Sequence, residues 1–178
     1  MRLFIGIPMP EGVKFYLRET QQHLIQHAIK KKPTLLENFH LTLLFLGEMD
    51  GAMIDDICQS LENHVKDIKP FMIQLGDVGS FIRAKNQILW VGIKEGIQQL
   101  GILSQRVRLA MDMISVDYEN KTFTPHITLA REVQFGDSKN TFMIHTYDTA
   151  ISVDYFNVYK SHRVDGILTY TPLCKILL

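Results

Sequence analysis

Residues 123–131 read Phe123-Thr124-Pro125-His126-Ile127-Thr128-Leu129-Ala130-Arg131, and residues 37–43 read Glu37-Asn38-Phe39-His40-Leu41-Thr42-Leu43. The two stretches share one tetrapeptide, His-x-Thr-Leu, set in apolar runs that read as strands over 39–46 and 126–130. Alternate residues of a strand point to the same face. His40 and Thr42 therefore share a face, as do His126 and Thr128, while Leu41, Leu43, Ile127 and Leu129 turn toward packing. Each strand offers one imidazole and one hydroxyl from an apolar wall. One copy would read as a satisfied strand histidine. Two copies with threonine in register each time point to a site: two imidazoles that can move two protons and two hydroxyls that can hold a phosphate.

Working outward, residues 3–7 read as a strand ended by Pro8 and Pro10. From Glu11 to about Lys30, Val13, Tyr16, Leu17, Leu24, Ile25 and Ala28 recur at helical spacing. Lys30-Lys31-Lys32 then falls in the last turn, where cations suit the helix dipole, and Pro33 ends the element. Asp50-Gly51 opens a second helix to about Val65, and residues 95–114 form a third. Strands are expected over 71–78 and 87–93, joined by a turn-rich connection at 79–86. A polar loop fills 117–124, another loop 135–140, and the stretch after it is ambiguous. Long strands are expected over 149–160 and 167–177, with Val164-Asp165-Gly166 turning an antiparallel hairpin. Strands and helices thus interleave in two similar halves, each holding one motif strand. We expect one domain over 1–178, made of two interleaved lobes.

Composition sets the outer bounds. The 178 residues can bury a substantial core, with 46% hydrophobic and 21% charged residues. No apolar run approaches the roughly 20 residues that cross a bilayer, and the N-terminus lacks the pattern of a secretory signal. Nineteen basic residues balance nineteen acidic ones. A chain that grips nucleic acid by charge is usually basic, so net neutrality argues against strong nonspecific RNA binding, though not against a small site for one terminal nucleotide. Cys58 and Cys174 lie far apart without metal-ligand spacing and read as buried reduced thiols in a cytoplasmic protein.

With these residues in place, the chain resembles the two-histidine (2H) phosphoesterase superfamily, and more closely the RNA 2',3'-cyclic phosphodiesterases, also called 2'-5' RNA ligases. Further similar stretches are Arg2-Leu3-Phe4-Ile5-Gly6-Ile7-Pro8, Phe45-Leu46-Gly47, Ile88-Leu89-Trp90-Val91-Gly92-Ile93 and Val158-Tyr159-Lys160-Ser161. The resemblance implies an α+β, bilobal fold. Two antiparallel β-sheets carry outer helices, related by a pseudo-two-fold axis, with the active-site cleft between the lobes. It implies His40 as the acid that protonates the leaving oxygen, His126 as the base that activates water, and a 2'-phosphate product. A 2',5'-phosphodiester enzyme, either hydrolase or ligase, would use the same groups; a non-catalytic nucleotide- or RNA-binding module is the reading from another class. No cofactor and no metal are expected. RNA 3' ends or cyclic nucleotides are the expected substrate of a monomer with no membrane association and no obligate protein partner.

Around the motif, Thr42 and Thr128 are the expected phosphate donors. Many relatives carry a basic residue at the position of Leu44, which alternation places on the His40 face and which would leave the pocket less basic here. Alternation puts Arg131 opposite His126, so either a twist or bulge brings it to the phosphate or it caps the strand at the surface. Phe123 can stack a base or plug the core. Trp90 reads as core. His23 and His27, four apart on the expected first helix, read as a solvated face, and His162 with Arg163 and Lys160 as a modest basic rim.

Overall fold

The computed structural model describes residues 1–136, 148 and 150–178. In chain order its elements are β1 (Arg2–Pro8), α1 (Glu11–Ile25), β2 (Ala28–Pro33), β3 (His40–Glu48), α2 (Ile54–Val65), β4 (Phe71–Arg83), β5 (Asn86–Glu95), α3 (Ile97–Met113), β6 (His126–Phe135), β7 (Ile151–Val153), β8 (Tyr155–Val164) and β9 (Ile167–Leu177). Short 3-10 turns at Leu36–Asn38 and Gly51–Met53 precede β3 and α2.

The strands form one antiparallel path, β7-β4-β5-β6-β3-β1-β8-β9, with β2 also against β6. One half is built on β4, β5 and β6, the other on β3, β1, β8 and β9. They meet between the two motif strands, where Leu41 faces Ile127 in a single registered pair. The two expected sheets are thus continuous at a narrow waist. Helices cover the apolar side: α1 packs on β6, α2 and α3 pack together, α3 reaches β3 and α2 reaches β9. Leu41, Leu43, Ile127 and Leu129 are buried there beside Leu17, Leu61, Leu100 and Val107.

Several expectations change. The first helix stops at Ile25, and Lys30-Lys31-Lys32 lies in β2, a strand beside β6 rather than a helix end. Helical spacing ran on through Ala28 because its side chain still packs toward the core. The lysines suit an exposed strand, and Lys31 Nζ reaches back to the Ile25 carbonyl at 2.9 Å, capping the helix from outside. His27 consequently lies beyond the helix that carries His23. Residues 79–86 are mostly strand: β4 runs to Arg83 and turns at Ala84 and Lys85 into β5. The expected strand over 149–160 divides at Asp154. β7 pairs with β4 and β8 with β1, so the chain changes halves there. The expected loop at 135–140 begins as strand, with Phe135 ending β6. Residues 137–147, including His145, and Thr149 lie outside the described residues.

The cysteines are also corrected. Cys58 on α2 and Cys174 on β9 form a disulfide, with Cα atoms 6.5 Å apart across 116 residues of sequence. Packing of α2 on β9 brings them together, a contact that spacing along the chain does not reveal.

Candidate active site

The two histidines are held alike. His40 opens β3, and its Nδ1–H donates to the Asn38 carbonyl at 2.7 Å. His126 opens β6, and its Nδ1–H donates to the Thr124 carbonyl at 2.6 Å. In both, the carbonyl lies two residues upstream and turns Nε2 away from the backbone. A neutral ring held this way carries its lone pair on Nε2, and the Thr42 hydroxyl lies 3.0 Å from that atom in His40. Asn38 is itself anchored, since its buried side-chain amide donates to the Leu168 carbonyl of β9 at 2.8 Å. The waist pairing of Leu41 with Ile127 sets the rest. Continuing the antiparallel register by one residue each way places His40 across from Thr128 and Thr42 across from His126 on one face, with side chains about 5 Å apart.

Alternation holds for His40–Thr42 and His126–Thr128, then breaks identically in both strands. In β6, Thr128 pairs with Trp90 and Ala130 with Leu89, leaving Leu129 as an extra residue. A second shift follows between Ala130 and Val133, where Glu132 has φ 51°. In β3, Thr42 pairs with Gly6 and Leu44 with Ile5, leaving Leu43 extra, with a second shift between Phe45 and Gly47. Two bulges therefore bracket Leu44-Phe45 and Ala130-Arg131. The first bulge reverses the phase: Leu44 and Ala130 are buried, whereas Phe45 and Arg131 are exposed. The bulge is what brings Arg131 to the histidine face, and its charge acts on His40, His126 and Tyr170. Leu44, expected on that face, instead belongs to the core; Phe45 takes the place equivalent to Arg131.

Aromatic rings flank each histidine. Phe4 lies 4.7 Å from the His40 ring and stacks on Tyr159 at 5.0 Å, and Tyr170 meets His40 edge-on at 5.2 Å. Gly6 permits this, since a Cβ there would sit 3.0 Å from the Leu41 carbonyl and 3.3 Å from the His40 ring. On the other side Phe81 meets His126 edge-on at 5.1 Å, and Trp90 lies 6.1 Å from it. Trp90 is thus half-buried beside the site rather than core, because Thr128 is its cross-strand partner. Phe123 is half-buried and packs against the core. His162 bonds Thr171 Oγ1 at 2.8 Å on the β8–β9 hairpin.

Burial pulls the His40 imidazole down to about 4, against the Asn38 hydrogen bond that favours the charged form; the Arg131 and His126 charges lower it further. Burial also lowers His126, with Arg131 adding to it and the Thr124 hydrogen bond opposing. The free protein therefore favours neutral rings, and an anion beside Arg131 would raise both. Burial raises the Tyr159 and Tyr170 hydroxyls. Among the described residues, no group of three or more His, Cys, Asp or Glu is placed to hold a metal ion.

Sequence reasoning pointed to the histidines and threonines but missed Phe4, Phe81, Tyr170 and the second role of Trp90. The available signal was their place on strands next to the motif strands, and it needs the strand order to be read.

A family model described as the 2'-5' RNA ligase superfamily matches residues 18–163. The RNA 2',3'-cyclic phosphodiesterase of Thermotoga maritima is 32% identical, over 99% of this chain and 93% of that protein. The Escherichia coli protein of the same name is 28% identical, over 97% and 93%. Among solved structures, Escherichia coli LigT complexed with 3'-AMP superposes with a TM-score of 0.83 at 26% identity, covering 99% of this chain and 97% of that one. A protein of Thermus thermophilus gives 0.83 at 25% identity, covering 100% and 98%. The chain belongs to the 2'-5' RNA ligase superfamily.

Proposed function

We propose that this protein is a metal-independent RNA 2',3'-cyclic phosphodiesterase that opens cyclic phosphate ends to 2'-phosphates. The observation that carries the reading is the paired arrangement of His40 and His126. Each is clamped through Nδ1 to a carbonyl two residues upstream, with Thr42, Thr128 and Arg131 on the same face. With the phosphorus between the two rings, His126 Nε2 takes the proton of the attacking water as its oxygen bonds to phosphorus. The bond from phosphorus to the ribose 3' oxygen breaks, and His40 Nε2–H protonates that oxygen. The nonbridging oxygens gain charge on the way, and the Thr42 and Thr128 hydroxyls with the Arg131 guanidinium donate to them. The substrate's own negative charge offsets the burial that keeps the imidazoles neutral, so one proton is held by the pair when substrate is bound.

With a ribose 5' hydroxyl in place of water, the same groups would break the same phosphorus–O3' bond and join the cyclic end to that hydroxyl through a 2',5'-phosphodiester, the ligation named in the family description. One chain supplies every group of the site, so a monomer suffices, with the two halves of 1–178 acting as one unit. We place it in the cytoplasm with its RNA substrate. No helix among the described residues is long and apolar enough to cross a membrane. The Cys58–Cys174 bond argues the other way, since such bonds are rare in reducing compartments.

The test is turnover of a short RNA ending in a 2',3'-cyclic phosphate, in EDTA, with phosphorus NMR of the product. Wild type is run beside His40→Ala and His126→Ala. A 2'-phosphate that appears with wild type and falls at least about a hundred-fold in both variants is the expected outcome. Turnover surviving both substitutions overturns the mechanism, and nucleotide binding without turnover favours a binding module.

A further inference from the structure

Gln21 lies on α1, on the apolar side of the sheet, away from the face that carries the histidines. It is a buried polar residue, 5% exposed among Val13, Leu17 and Leu24. Its Nε2 donates to the Leu129 carbonyl at 2.6 Å and to the Thr34 carbonyl at 2.8 Å. The Leu129 carbonyl also accepts the Thr34 amide at 2.9 Å. Leu129 is the extra residue of the first β6 bulge, and that bulge is what turns Arg131 onto the histidine face. The other half repeats the device, with Ser104 of α3 donating to the carbonyl of Leu43, the extra residue of the β3 bulge, at 3.4 Å. In each half an outer helix sends one buried side-chain donor through the core to the carbonyl of the bulged residue.

We infer that Gln21 is a positioning residue for Arg131: by holding the Leu129 carbonyl in its bulged place, it fixes the strand phase that delivers the guanidinium to the phosphate. The Leu129 carbonyl accepts the Thr34 amide from the β2 side, and the Gln21 amide adds a second, buried donor that ties the same carbonyl to α1. Gln21 reaches that carbonyl in its bulged place, so the bond favours the extruded Leu129 over the regular strand. Were the bulge to close, the phase of β6 would reverse beyond Thr128, and Arg131 would turn toward α1. The inference rests on the reading of Arg131 as a phosphate ligand.

The experiment is a double-mutant cycle on kcat/KM for the cyclic-phosphate RNA, using Gln21→Leu, Arg131→Ala and the pair. Gln21→Leu keeps the size and removes both donors. Arg131→Ala is expected to lower kcat/KM about 10- to 100-fold, and Gln21→Leu on the order of ten-fold. The double variant should equal Arg131→Ala alone, because a misplaced guanidinium and a missing one are equivalent. Val13→Ala, an α1 core change that touches neither carbonyl, separates loss of stability from loss of position and should leave kcat/KM unchanged. Losses that multiply in the double variant, or an unchanged kcat/KM in Gln21→Leu with only a lower melting temperature, overturn the assignment. Ring titrations of His40 and His126 by NMR provide a readout that stands even if wild type turns over no cyclic phosphate. Displacing Arg131 in Gln21→Leu should raise both, and identical titration curves would sink the inference without reference to activity.

Discussion

Phe45 and Arg131 occupy equivalent places in the two halves of the molecule. Each follows a His-x-Thr-Leu segment, each is bracketed by two bulges, and each stands exposed one residue beyond a buried neighbour, Leu44 or Ala130. The scaffold repeats while the side chain does not: one half presents a cation, the other a ring. The two histidines share their local anchoring; burial lowers both, His40 to about 4, and the Arg131 charge adds to the shift of each.

Removing Arg131 should act on both affinity and pH. Its charge disfavours the imidazolium forms of His40 and His126. In Arg131→Ala both pKa values rise, so the optimum of kcat/KM moves to higher pH while its height falls about 10- to 100-fold. Arg131→Lys restores the charge without the planar fork and should recover the pH optimum more fully than the rate. A profile that drops without moving would separate the guanidinium from the titration of the histidines.

The pH–rate profile of the wild type should be bell-shaped and acid-shifted. The active form holds one proton between two imidazoles whose pKa values both lie below 6.5 in the free protein, His40 at about 4. The maximum of kcat/KM, which reports the free protein, should therefore fall below about pH 6.5. The profile of kcat should lie higher, because bound phosphate favours the imidazolium. The limbs belong to the coupled pair rather than to one ring each. Rate measurements from about pH 3.5 to 9 on one substrate check this, and coincident kcat and kcat/KM profiles would contradict it.

Stability carries the same signature. His40 is depressed from 6.5 to about 4 in the folded chain. Between these values the unfolded chain binds a proton that the folded chain does not, so stability is full above 6.5 and falls as pH drops toward 4. The loss from this group amounts to up to about 3 kcal/mol. His40→Gln removes the titration and should flatten that part of the curve in urea unfolding at about pH 7 and about pH 4.5.

The readable and unreadable parts of the sequence divide at the bulges. His40, Thr42, His126 and Thr128 were legible because two-residue alternation holds as far as each threonine. It fails at Leu43 and Leu129, whose extra residues have no marker in the sequence: neither bulge contains glycine. Leu44 was therefore misplaced and Arg131 left open between two faces. The β4–β5 turn was obscured in the same way, since Ala84 adopts φ 52° at a position where glycine would have signalled it. Lys30-Lys31-Lys32 satisfies both a helix end and an exposed strand, and only pairing with β6 decides between them. The split at Asp154 follows from β4 and β1 each needing a partner, a demand set by the topology rather than by residues 149–160 themselves.

Breaking the Cys58–Cys174 bond should destabilise the chain and spare the chemistry. The bond closes a loop of 116 residues, which in the chain-entropy view restricts the unfolded state substantially. Cys174→Ser, or reduction, should cost about 2 to 4 kcal/mol and lower the melting temperature by roughly 5 to 15 °C for a chain of this size. Neither cysteine touches the histidine face, so turnover at room temperature should persist. Free-thiol titration of the denatured, unreduced protein checks the bond itself, and two reactive thiols would refute it.

The tryptophan beside His126 should report its own displacement. Gly79 faces Trp90 across the β4–β5 ladder, and a Cβ at position 79 would collide with the indole ring. Trp90 in turn packs on Phe81 at 5.2 Å, and both rings flank His126. In Gly79→Ala the indole must leave its place, and the wall that holds the His126 ring loosens with it. The chain has a single tryptophan, so its fluorescence follows this movement without ambiguity. The emission should shift to the red as the half-buried ring meets water, and kcat should fall on the order of ten-fold through misplacement of the imidazole. His40 packs against Phe4 in the other half, so its NMR titration should move only through its coupling to the displaced His126 ring. A red shift with full activity would show that the Trp90–Phe81 wall does not position His126, whereas loss of activity with an unshifted spectrum would show that Gly79 acts by another route.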